Sequence, residues 1–187
     1  MFWNKDIQET ISPLMDKIKS RQSLPFKLVA TALLGLIAAI FQSSGGWIPG
    51  IGMLISPFSS APIILSMLIG PSFGLLCYLL TIFLLLLLQP SELIVFPFTT
   101  GIMAIGLGFS FLLVNRIWKA VILSAVFLLL GICFLLYGVR FPILGPFLIE
   151  FSMWNILIIY LFSLGYCWFW TELVLRVLPR FLDQLKA

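Results

Sequence analysis

The sequence predicts an all-α membrane protein, a bundle of about six transmembrane helices preceded by an amphipathic cytoplasmic segment. Three observations carry that prediction. Of 187 residues, 61% are hydrophobic and 10% charged, where a soluble domain averages about a quarter charged. The mean hydropathy of +1.17 comes from several separate apolar runs rather than one, which excludes a single anchor on a globular domain. Lys and Arg gather at the ends of those runs, where membrane orientation uses them. The net charge of +4 is accounted for in this way, and no nucleic-acid partner is expected.

Residues 1–23 are polar and mixed in charge, with no early apolar core, so they do not read as a cleaved signal. Ile7, Ile11, Leu14, Met15 and Ile18 recur at helical spacing. This is the pattern of an amphipathic helix lying on the cytoplasmic surface or docking on a partner.

A hydrocarbon layer about 30 Å thick requires about 20 apolar residues per helix and tolerates no unsatisfied backbone. Six stretches meet or approach that length, at 24–42, 54–69, 71–89, 93–114, 118–137 and 147–175. The second is short and interrupted by Pro57 and Pro62. Ser56-Pro57 reads as an N-cap with a first-turn proline. Gly70-Pro71 stops one helix and starts the next, so the second and third runs form a tight hairpin. Gln89 to Glu92 is a short polar turn, and Asn115, Arg116 and Lys119 flank the join of the fourth and fifth runs. Residues 24–178 are thus the transmembrane domain and 179–187 a short cytoplasmic tail.

Lys5, Lys17, Lys19, Arg21 and Lys27 precede the first run, Arg116 and Lys119 separate the fourth from the fifth, and Arg176, Arg180 and Lys186 follow the sixth. Only Arg140 falls on the opposite side. The positive-inside rule therefore places both termini in the cytoplasm and the outer loops at 43–53, 90–92 and 138–146. The first outer loop, with Gly45, Gly46, Gly50 and Gly52, reads as a mobile segment that lets backbone approach a ligand, or as an ordinary connector.

Thr31, Gly35 and Ala39 recur every four residues on the first helix, a face that either packs inside the bundle or docks a separate membrane subunit. Glu92, Arg140 and Glu150 are the charged residues on the outer side; Arg140 and Glu150 could form a ligand site or a structural ion pair. Gln42, Trp47, Ser59, Ser60, Thr99, Thr100, Trp154 and Asn155 bring amides, hydroxyls and flat aromatic surfaces to the same half. A pocket for a small polar molecule uses that mixture, although tryptophan at an interface also serves as a belt anchor.

Histidine is absent, and Cys77, Cys133 and Cys167 stand singly in apolar runs, so zinc sites, disulfides and histidine-based catalysis are not expected. The chain also lacks a phosphate-binding glycine loop. An ATP-driven pump in one chain is excluded, no cofactor is implied, and the protein is expected not to be an enzyme. A lipid-modifying enzyme would have only Glu92 and Glu150 as outer carboxylates.

The small-residue face of the first helix, the segment after it, and then Ser59-Ser60-Ala61-Pro62 followed by an apolar run ending Gly70-Pro71-Ser72-Phe73-Gly74 resemble the substrate-binding S components of energy-coupling factor transporters. The resemblance covers about residues 28–110, and the remainder by length and helix count. In that family the first helix often carries an Ala-x-x-x-Ala pair where this chain has Thr31, Gly35 and Ala39. The resemblance implies a bacterial cell-membrane protein that captures a vitamin or similar micronutrient and delivers it with a membrane coupling subunit and two cytoplasmic ATPases. Thr31, Gly35 and Ala39 would be the docking face and the glycine-rich segment a lid. A membrane scaffold of the morphogenesis or sporulation kind is the alternative.

Overall fold

The computed structural model describes residues 6, 7, 9, 11, 12, 23–48 and 50–184, with side chains up to residue 177 apart from Pro146. Six helices are long and apolar enough to cross a membrane. They are α1 (Leu24–Trp47), α2 (Ile51–Ile69), α3 (Pro71–Leu88), α4 (Glu92–Leu113), α5 (Ile117–Gly138) and α6 (Met153–Gln184). At 1.5 Å per residue even α3 reaches about 27 Å, close to the hydrocarbon thickness. No strand occurs among the described residues beyond an isolated bridge between Asp6 and Arg116.

Leu33, Leu36 and Ile40 on α1, and Leu79, Phe83 and Leu86 on α3, are exposed. Water would penalise so much bare apolar surface, at about 25 cal/mol per Å²; lipid does not. The chain is a multi-pass membrane protein. Helix α2 is wedged among α1, α3 and α4, α4 packs on α5, and α6 lies along α5 with little contact elsewhere.

Without a hydrophobic force between helices, close packing and hydrogen bonds hold such a bundle. Gly74 of α3 and Gly108 of α4 both face Met67 of α2, and neither position has room for a Cβ. Ser110 and Ser124 meet at 3.1 Å between α4 and α5, while each also lies in reach of its own i−4 carbonyl. Each hydroxyl carries one proton, so whichever serine donates across the interface gives up its backbone bond. A double-mutant cycle on Ser110→Ala and Ser124→Ala, read by unfolding in bilayers, is expected to give a coupling of only about 0.6 kcal/mol.

Several boundaries differ from the sequence reading. Helix α1 does not stop at residue 42 but continues through Gly45 and Gly46 to Trp47, leaving a turn of about three residues before α2. The expected mobile loop is therefore mostly helix. Its glycines mark contacts: a Cβ on Gly52 would run into the Ser44 carbonyl and one on Gly46 into the Gln89 side chain. Gly50 takes up the reversal with φ of 82°, a conformation costly to other residues. Helix α6 begins at Met153 rather than 147, after a short 3-10 turn at Pro146–Leu148, and it carries on through 179–184, so the expected tail is largely helical. The Gly70-Pro71 junction is as tight as expected, with α2 ending at Ile69 and α3 starting at Pro71.

Two helices are broken partway along. In α2 a 3-10 turn at Ser56–Ser59 containing Pro57 separates Ile51–Ile55 from Ser60–Ile69. In α4 a 3-10 turn at Phe96–Phe98 containing Pro97 separates Glu92–Val95 from Thr100–Leu113. Each proline removes a backbone donor and orphans a carbonyl, which apolar surroundings do not forgive. Side chains repair the fault in α4: the Tyr78 hydroxyl donates to the Pro97 carbonyl at 3.1 Å and Thr99 to the Val95 carbonyl at 2.8 Å.

The amphipathic pattern near the N-terminus finds a partner inside the chain. Ile7 and Ile11 are buried in the core, and the Ile7 N–H donates to the Asn115 carbonyl at 2.7 Å. Leu14, Met15 and Ile18 lie outside the described residues.

Candidate functional site

The breaks in α2 and α4 face the same space. Between them, the end of α1 and the face of α6 lies a cavity of about 440 Å³, within the range of about 300–1,000 Å³ usual for small-molecule sites. Irregular backbone at membrane depth is tolerated where it borders a cavity, and broken helices form the binding sites of many transporters. The cavity lies at the end of the bundle opposite Lys27, Arg116 and Lys119. Helix α6 packs chiefly on α5, and an edge-on contact of Phe58 with Trp170, centroids 5.7 Å apart, joins it to α2.

One wall is polar and organised by Gln42, which is 2% exposed. Its Oε1 accepts from Ser59 at 2.8 Å and from Thr100 at 3.0 Å, and its Nε2 donates to Glu92 Oε2 at 2.7 Å. A carboxylate only accepts and the hydroxyls supply the protons, so the amide has one sensible orientation. Gln42 thereby ties α1 to both broken helices. Ser60 donates to the Thr100 carbonyl at 3.2 Å and supports the wall from behind.

The other wall is apolar. Leu128 and Ile132 of α5, Ile143 and Leu144 of the following loop, and Phe162 of α6 line it. Tyr166 completes it one turn after Phe162, the two rings stacked at 6.0 Å. The Tyr166 hydroxyl is buried near Ser60 and Trp170 and makes no hydrogen bond of good geometry.

Of the candidate binding residues, Gln42, Thr99 and Thr100 line this cavity, with Ser59 and Ser60 directly behind. Glu92, singled out only as an outer charge, is a lining residue too. The rest are elsewhere. Trp47 is half-exposed and lines no part of the cavity. Trp154 is 74% exposed and Asn155 donates to the Glu150 carbonyl at 2.7 Å; both lie in the first turn of α6, about 12 Å along its axis from Phe162. Arg140, in a left-handed conformation with φ of 59°, borders a separate hollow with Tyr137 and Phe151. Arg140 and Glu150 form no ion pair with each other, although Ile149 and Phe151, on either side of Glu150, border the same hollow as Arg140.

The Thr31, Gly35 and Ala39 face is occupied within the chain. All three are buried, the Thr81 hydroxyl of α3 lies 3.3 Å from the Gly35 carbonyl, and a Cβ on Gly35 would come 2.9 Å from Leu80. The internal-packing reading of this face accounts for that burial, with α1 meeting α3 at Gly35. No cluster of His, Cys, Asp and Glu suited to a metal occurs among the described residues.

Tyr166, Phe162, Leu128 and Ile132 have no distinguishing mark in the sequence, being apolar or aromatic residues in apolar helices like dozens of lipid-facing neighbours. Beyond the polar residues already singled out, the break at Pro97 is a further signal that could have pointed to the cavity. Comparison with known protein families, curated proteins and solved structures finds no match.

Proposed function

We propose that this chain is the membrane-embedded capture subunit of a multisubunit, ATP-driven uptake system for a small micronutrient, in a bacterial cell membrane with both termini cytoplasmic. The observation that carries this reading is the cavity between two broken helices, polar on one wall and apolar on the other, at the end of the bundle away from the basic loops. The sequence resemblance over residues 28–110 points the same way. Energy would come from partner ATPases through a membrane coupling subunit. That subunit would dock on a surface other than the Thr31, Gly35 and Ala39 face, which α3 covers.

Purification of the tagged chain from its native membrane in mild detergent, with mass spectrometry of what accompanies it, tests this. Two related ATPases and a multi-helix membrane protein are the expected companions. Recovery with division, shape or sporulation proteins instead would replace the transport reading with that of a scaffold.

A further inference from the structure

We propose that the cavity binds a small organic cation, an apolar body carrying a protonated amine or quaternary ammonium group that pairs with Glu92 and lies against Phe162 and Tyr166. The proposal rests on the reading of the cavity as a capture site and names the chemistry of what is captured.

Among the described residues Glu92 is the one charged residue lining the cavity, and no Lys or Arg borders it. Gln42 occupies Oε2 of its carboxylate, while Oε1 lies over Gly45, 3.8 Å from where a Cβ would stand, and accepts no hydrogen bond from the described residues. A carboxylate held by a fixed amide, with its second oxygen free beside an apolar space, selects positive charge and repels anions. The metal alternative fails on ligand number. A hard cation wants six or more oxygens, and the Gln42 oxygen is already committed to Ser59 and Thr100.

The far wall adds a second preference. Phe162 and Tyr166 both line it, their rings stacked on each other one helical turn apart, and aromatic rings attract ammonium groups, more so away from water. Leu128, Ile132, Ile143 and Leu144 offer nothing to a polar body. Positive charge at one end and hydrocarbon over the remainder satisfies both walls together.

The test uses the full chain in lipid nanodiscs with three probes of similar shape: benzyltrimethylammonium, the neutral 3-phenylpropanol and the anion phenylacetate. Binding is read by calorimetry and by the shift in melting temperature. The cation is expected to bind saturably and raise the melting temperature, and the other two are not. Glu92→Gln, which keeps an oxygen for Gln42, should weaken the cation by roughly tenfold or more. Phe162→Leu should weaken it by about two- to tenfold. Equal binding of the neutral or anionic probe, unchanged affinity in Glu92→Gln, or no binding of the cation overturns the proposal. Cation binding by a chain that meets no ATPases would sustain the ligand class and overturn the transporter; ATPase companions without cation binding would do the reverse.

Discussion

Gln42→Leu is expected to destabilise the folded bundle by about 2–3 kcal/mol, a large loss against a typical total of about 5–15 kcal/mol. One substitution removes three hydrogen bonds and leaves Ser59, Thr100 and Glu92 without their shared partner. The loss is smaller than three full desolvation costs, because a hydroxyl can turn to a nearby backbone carbonyl and Glu92 is only half-buried. Bonds between membrane helices also average only about 0.6 kcal/mol, with a maximum near 1.7. Unfolding of the reconstituted protein by denaturing detergent measures the difference. Ser60→Ala, which removes a single bond outside the hub, should cost less than half as much; equal losses would show that Gln42 is not the node.

The second large effect is at Gly131. An added Cβ there would collide with the Phe98 carbonyl, which belongs to the break in α4 and is backbone that cannot swing aside, and would also come 3.1 Å from Ile102. Helix α5 must then move off α4, loosening the Phe98–Phe134 ring contact at 4.7 Å and the Tyr78 bond to Pro97. Gly131→Ala is expected to cost about 3 kcal/mol, the upper end of overpacking, despite the gain of about 1 kcal/mol in helix propensity. Gly165 of α6, with no atom near its missing side chain, supplies the contrast. Gly165→Ala should be neutral or stabilise by up to about 1 kcal/mol. Melting temperatures of the two variants in nanodiscs should move in opposite directions, or Gly165 not at all.

Length and hydropathy made the six spans legible, because lipid admits only helices of that length and the basic residues mark their ends. Packing was half legible. The spacing of Thr31, Gly35 and Ala39 announced a close contact, but a small-residue stripe says nothing about which helix covers it, and α3 does. The glycines from Gly45 to Gly52 suggested a loop because glycine costs a helix conformational entropy; here two of them, Gly46 against Gln89 and Gly52 against the Ser44 carbonyl, sit where only hydrogen fits. The polar half of the cavity could be glimpsed in Gln42, Thr99 and Thr100, whose chemistry stands out against hydrocarbon. Its apolar half could not, since Leu128 and Phe162 carry the same signal whether they face lipid or a ligand. Arg140 and Glu150 were drawn together by charge alone, and the irregular backbone that carries both leaves them unpaired with each other.

The burial of Ile7 and Ile11 beside Asn115 has a consequence in time. The ribosome makes the first of these residues roughly 100 residues before the stretch that receives them, an interval of about 5–20 s at ordinary synthesis rates. Until then the segment has no native cover, and the membrane surface is the nearest place for two unmatched isoleucines to wait. Its docking joins residues 7–11 to the turn between α4 and α5, which can happen only after the first four helices have been made.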